Sequence, residues 1–191
     1  MPYIEGDDLH PKSNVDKMAA GTPLNDSDRE PWLEIVRKVA EQHRVEEQFN
    51  FGSEEEGGSE RGCHGVVISC SALKRYYRDI LRGRLKPASK DPSDERLPTH
   101  MEPPHPDVLP TYFVFIKGER QLILERMEKR PGHFMKAGML DSQLNTLESP
   151  EGEEGVVVVS SEEDTESQVN RAKAEIGKMV GSWFLDFLDE V

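Results

Sequence analysis

Cysteine is nearly absent: Cys63 and Cys70 are the two in 191 residues. That is too few for a disulfide framework, and no second pair completes a zinc site, so a reducing compartment is expected. Positive charge is also in deficit, with 24 Lys and Arg against 37 Asp and Glu and a formal net charge of -13. This balance argues against nucleic acid or an anionic membrane as partner, since both need clustered cations to displace counterions. Long apolar runs are missing as well. The best are YFVFI at 112–116 and VVVV at 156–159, far short of a membrane span. The start, MPYIEGDD, shows neither the basic and apolar stretches of a secretion signal nor the Arg-rich, acid-poor character of an organelle peptide, so a cytoplasmic location is expected. There is no G-x-x-x-x-G-K-[ST] loop either. The nearest shape, GGSERGCH from Gly57, lacks the lysine and the hydroxyl and sits beside glutamates that repel phosphate.

What is present is an alternation of short β-branched or aromatic runs with helix-period segments, the pattern of a parallel sheet wrapped by helices, and the length suits one domain. Strands are expected at Tyr3–Glu5, Val66–Ser69, Tyr112–Ile116 and Val156–Ser160. Ser13 and Asp16 read as a capping box for a short helix ending near Gly21. Asp26 or Asp28 caps a longer one with Trp32, Ile35, Val36 and Val39 on its apolar face and Pro31 in its first turn. Ser71 can open the next helix, burying Leu73, Tyr77, Ile80 and Leu81; others are expected over 119–129 and 137–148, and a last from about Glu166. That last helix repeats apolar residues from Val169 to Leu188 and is expected to dock on the sheet. Two stretches break the pattern, an acidic, Gly-rich insertion at 50–64 and one at 83–110 that holds seven of the chain's 13 prolines, and both read as mobile surface insertions, since structureless lengths of this kind are uncommon inside compact domains.

Several clusters have two readings. In EGDDLHP, Glu5, Asp7 and Asp8 follow a strand through a glycine turn, so carboxylates project from a strand's carboxyl end, where open parallel sheets bind ligands. The alternative is a polar turn capping a helix, with His10 a solvent-facing loop histidine. Arg29 stands at a helix start, where the dipole prefers an anion. Something negative should lie near it, either Asp26 or Asp28 or the carboxylate of a substrate. Trp32 reads as core. Lys74 and Arg78, four apart after a strand, suit anion binding or a solvated face with Asp79 as ion-pair partner. Arg126 and Arg130 share a face before a Pro-Gly break, either as a basic helix end or as part of a lid that offsets charge on a transferred phosphoryl group.

Together, EGDDLHPKSNVDKMAAGTPLNDSDREPW, CSALKRYYRDILR and RMEKRPGHFM, with MLDSQLNTLESP after the last, resemble the gluconokinase family of small P-loop kinases. The resemblance implies a nucleoside-monophosphate-kinase-like α/β fold, a three-layer sandwich with a parallel sheet and a lid at 130–140. It implies ATP and Mg²⁺ as cofactors and D-gluconate as substrate, phosphorylated on its 6-hydroxyl to 6-phosphogluconate. By the same resemblance Asp7 faces the accepting hydroxyl, and His10, Arg29, Lys74 and Arg78 bind gluconate. Arg126 and Arg130 meet the phosphoryl group, and Glu5 serves Mg²⁺ from its outer shell. A homodimer is left open.

In that family the central strand, the phosphate loop and the first helix all precede the acid-Gly-Asp turn, which here begins at residue 5. The expectation is therefore a single N-terminally truncated domain over 1–191, as from a truncated gene model or isoform. Nucleotide affinity is expected to collapse, and the fold to suffer, since flanking strands are left with unpaired backbone groups whose summed cost can exceed typical domain stability. The alternative function is a catalytically impaired remnant that binds gluconate or its phosphate without ATP turnover.

Overall fold

The computed structural model describes residues 1–51, 65–85, 109–129 and 137–180. Most of both insertions, residues 130–136 of the expected lid with Arg130, and the apolar residues beyond Val180 lie outside these, whereas 137–140 of the expected lid open a helix. The fold is α/β, and both strand pairs within the described residues are parallel. The chain divides into two compact units, the first formed by 1–15, 24–54 and 65–111, the second by the remainder.

In the first unit β1 (Tyr3–Glu5) pairs with β2 (Val67–Ser69), setting Glu5 opposite Ser69. A 3₁₀ turn, Gly6–Leu9, follows β1 directly, so the acid-rich segment leaves the carboxyl end of a strand as its composition suggests. Helix α1 (Lys12–Ala19) starts at Lys12, its first turn anchored on the Pro11 carbonyl, which accepts from the amides of Asn14 and Val15. Ser13 is thus inside the helix instead of capping it. Gly21 ends the helix at a φ of 76°, with Thr22 N–H returning to Lys17 and Gly21 N–H to Met18. This is the left-handed terminus that glycine adopts without steric cost.

Helix α2 (Asp26–Phe51) carries the core of this unit. Asn25 caps it, not Asp26 or Asp28: its Oδ1 accepts from Asp28 N–H at 3.1 Å while the Asp28 carboxylate accepts from Asn25 N–H at 2.8 Å. The reciprocal pair frees Asp26 for a tertiary contact. Pro31 lies in the second turn rather than the first, removing the donor that would reach the Ser27 carbonyl. The buried stripe is Arg29, Trp32, Leu33, Val36 and Arg37, whereas Ile35 is exposed. Its two arginines mask the i, i+3, i+4, i+7 period, which is why Ile35 looked apolar-facing from the sequence. Helix α3 (Arg75–Leu81) begins one turn later than Ser71 implies and buries Tyr77, Arg78, Ile80 and Leu81 against α2. Arg37 crosses to its far end, Nη1 donating to the Leu81 carbonyl at 2.7 Å.

In the second unit β3 (Phe113–Lys117) pairs with β4 (Val156–Ser160) across five positions. Val157 and Val159 are buried, and α6 (Thr165–Val180) packs on β4. Asp164 caps α6, accepting from the amide and hydroxyl of Ser167 at 2.9 and 2.8 Å. The docking expected of this helix is thus present, although Val169 and Met179 from its apolar repeat are exposed. Helices α4 (Arg120–Lys129) and α5 (Ala137–Thr146) are joined by a two-pronged Arg120–Asp141 pair at 2.5 and 3.0 Å. Among the described residues no helix is long and apolar enough to cross a membrane.

Candidate active site

At the carboxyl ends of β1 and β2 the chain makes a tight corner. Ser69 Oγ donates to Glu5 Oε1, Tyr3 Oη donates to Glu5 Oε2 at 2.8 Å, and Gly6 N–H donates to Ser69 Oγ at 3.2 Å. Glu5 is therefore fixed by two hydroxyls at the strand ends. A side chain on Gly6 would overlap the Ser69 carbonyl oxygen and press on Cys70. Gly6→Ala is expected to lose about 3 kcal/mol or more of unfolding free energy, because the obstacle is backbone and yields only if the strands part. A urea unfolding curve measures it; a loss under about 1 kcal/mol contradicts this packing.

Asp7, on the turn, keeps a side chain 66% exposed, while His10, three residues on, is sunk to 3%. His10 lies flat on Trp32, ring centroids 4.2 Å apart and 18° between planes. Trp32 is completely buried, and its indole N–H donates to the Gly6 carbonyl at 2.8 Å, so one side chain ties α2 to the corner and supplies the surface under the imidazole. Asn14, also buried, approaches His10 Nδ1 at 3.2 Å and donates to the Asp28 carbonyl at 2.8 Å. Burial lowers the His10 pKa below its ordinary 6.5; the Asp7 charge works against this and the Arg29 charge with it. At neutral pH the ring is uncharged.

Arg29 is 7% exposed. Its Nε donates to the Leu24 carbonyl at 3.4 Å, and among the described residues no carboxylate forms an ion pair with it. Neither acid expected to neutralise it does so. Asp28 accepts from the Asn25 amide, and Asp26 accepts both Lys74 Nζ, at 2.8 Å to each oxygen, and Tyr77 Oη. Lys74, then Tyr77, hold the Asp26 carboxyl below its ordinary pKa. Desolvation, and the hydrogen bond to Asp26, push the Tyr77 phenol well above its ordinary value. Lys74 is the cap residue of α3 rather than part of it, so it and Arg78 do not share a helix face as their spacing suggests. Arg78 is 2% exposed and turns back to the carbonyls of Ala72 and Leu73 at 2.8 and 3.2 Å. Asp79 pairs with Arg82, at 3.2 Å. Cys70 is unpaired with any other cysteine; burial, with help from Asp7, pushes its thiol up to about 11, so it stays protonated and inert.

The first unit thus places Glu5 at the end of β1 and Asp7 and His10 on the turn that follows, with Arg29 near enough to His10 to oppose its charge, while Lys74 and Arg78 are held at the start of α3, Lys74 on Asp26 of α2. Arg126 belongs to the second unit, exposed in the last turn of α4, and Arg130 lies outside the described residues. Sequence reasoning missed Asn14, Ser69 and Tyr77. Asn14 had a visible signal, standing four residues after His10 at a helix start; Ser69 and Tyr77 had none short of the strand register and the α2–α3 packing.

No protein-family model matches the chain. It is 36% identical over 179 residues to a probable gluconokinase of Schizosaccharomyces pombe, covering 93% of this chain and 76% of that one. It is 39% identical over 160 residues to the gluconokinase of Gluconobacter oxydans, covering 84% and 68%. Among solved structures, a gluconokinase from Sinorhizobium meliloti superposes with a TM-score of 0.62 at 35% identity, covering 93% of this chain and 78% of that one. Identity at this level, carried across most of the length of independent relatives and matched in three dimensions, means that the chain belongs to the gluconokinase family.

Proposed function

We propose that the first unit is a gluconate-binding half-site and that the chain transfers the γ-phosphoryl group of ATP to the 6-hydroxyl of D-gluconate. The observation that carries the gluconate assignment is Arg29, a buried guanidinium answered by a carbonyl and by no carboxylate among the described residues. A buried cation without an anion is costly, and a sugar-acid carboxylate supplies one in the planar geometry a guanidinium grips best. Family membership adds the reaction. Asp7, exposed beside His10, takes the proton of the attacking hydroxyl as its oxygen bonds to the γ-phosphorus and ADP departs. His10 meets the polyol chain. Lys74, neutralised by Asp26, and Arg78, buried on the Ala72 and Leu73 carbonyls, brace the start of α3 beside the site and would meet gluconate only by giving up those partners. Arg126 and Arg130 are assigned to the phosphoryl group.

Mg²⁺ fits this site only in a hydrated form. Among the described residues no three His, Cys, Asp or Glu gather as a ligand set, and Glu5 already accepts two hydroxyls. Glu5 would hold the ion through water, in keeping with the several waters that Mg²⁺ retains beside substrate phosphates. When bound it neutralises phosphate charge.

Calorimetry with D-gluconate and with ATP separately, alongside an assay for 6-phosphogluconate, tests the proposal. Gluconate should bind and be phosphorylated, and Asp7→Asn should lower kcat about 10²- to 10⁴-fold with the melting temperature unchanged, because that side chain is exposed. Gluconate binding without ATP turnover would instead establish the binding-only remnant. Absence of gluconate binding refutes both.

A further inference from the structure

We propose that Asn14 is a positioning residue that locks His10 in the tautomer protonated at Nε2, so that His10 presents a donor beside Asp7. The inference deepens the gluconate reading, and rests on it for its meaning in catalysis. It comes from counting protons. The Asp28 backbone carbonyl only accepts, so the Asn14 atom 2.8 Å from it must be the amide nitrogen. That nitrogen has two hydrogens; one goes to Asp28 and the second is directed at His10 Nδ1, 3.2 Å away. A ring nitrogen facing a donor must offer its lone pair. The imidazole hydrogen is therefore on Nε2.

Other groups around His10 agree with this arrangement. Trp32 covers one ring face from α2, and Arg29 on the same helix opposes a positive charge on the ring. Asp7, from the turn, lies 3.8 Å from Nε2, too far for a direct hydrogen bond but close enough for one hydroxyl oxygen to bridge the two. A bridging hydroxyl accepts from Nε2–H and donates to the Asp7 carboxylate, the direction proton transfer to Asp7 requires. The opposite tautomer would place a lone pair there, two acceptors would compete for one hydrogen, and the hydroxyl would have no fixed orientation. Asn14 touches no reacting atom; it acts through His10.

The test is long-range ¹⁵N–¹H correlation of the imidazoles in the full chain, with histidine assignments made by a His10→Gln spectrum. Wild-type protein should show His10 neutral at pH 7 with the hydrogen on Nε2. Asn14→Asp, close to isosteric, puts an acceptor against Nδ1. It should move the hydrogen to Nδ1 or protonate the ring, raise the titration midpoint above that of wild type, and weaken gluconate binding about tenfold, the worth of one buried hydrogen bond. Asn14→Leu should give mixed tautomers and a similar loss, with its melting curve confirming that it folds. A wild-type ring protonated at Nδ1 overturns the proposal, as does an Asn14→Asp protein whose tautomer shifts while gluconate affinity stays within twofold. Should wild-type protein fail to bind gluconate at all, the site assignment falls by itself, and the wild-type tautomer still decides the role of Asn14.

Discussion

Replacing Arg29 by methionine should weaken gluconate binding on the order of 10²- to 10³-fold while leaving the unfolding free energy within about 1 kcal/mol of wild type. The two effects separate because the guanidinium faces one carbonyl and, among the described residues, no acid. Removing an uncompensated buried charge relieves a desolvation penalty, and the unbranched methionine fills much of the same space. Against that stands the Leu24 carbonyl, which loses a donor at 3.4 Å, long enough that little is forfeited. Ligand binding has no such offset, since a bound carboxylate would be buried without its cation. Calorimetric titration with gluconate and a parallel urea curve decide the matter. If Arg29 instead served the fold, stability would drop by several kcal/mol and affinity would follow it.

Trp32→Ala should do the reverse and cost about 3–5 kcal/mol, the usual price of truncating a fully buried tryptophan. In a chain of this size that lowers the melting temperature by roughly 10 °C. Three functions vanish together: the core volume on α2, the donor to the Gly6 carbonyl, and the platform under His10. Trp32→Phe separates them. It keeps most of the apolar volume but leaves the Gly6 carbonyl unpaired, so its cost should fall to about 1–3 kcal/mol. Scanning calorimetry of both proteins checks the ranking: an unchanged Trp32→Phe protein would mean that the indole hydrogen bond contributes nothing, and equal losses would mean that the apolar volume contributes nothing beyond it.

All four strands among the described residues were legible to within a residue because β-branched and aromatic runs bounded by turn formers have few other ways to be buried. The acid-rich turn was legible for the same reason, being the first polar segment after such a run. What the sequence hid was pairing. NDSDRE offers three acids and one arginine within six residues, and local spacing favours Asp26 or Asp28 as the partner of Arg29. Capping decided otherwise: once Asn25 and Asp28 satisfied each other's backbone amides, Asp26 turned to Lys74, forty-eight positions away. Lys74 and Arg78 looked equivalent by their spacing of four. Helix α3 starting at Arg75 made one a cap and the other a buried brace. Partners this far apart in the chain leave no periodic trace, and they are what neutralises Lys74 while Arg29 keeps its charge.

The ladder between β1 and β2 is only three residues deep, and Glu5 faces Ser69 at its last rung. Because neighbouring residues of a strand point to opposite faces, shifting that ladder by one position would turn Glu5 away and carry the Ser69 hydroxyl out of its reach. Correct alignment of two very short strands and completion of the polar corner are therefore a single event. The serine–glutamate contact acts as a proofreading latch, closing only on the alignment that also brings Asp7 and His10 to the rim.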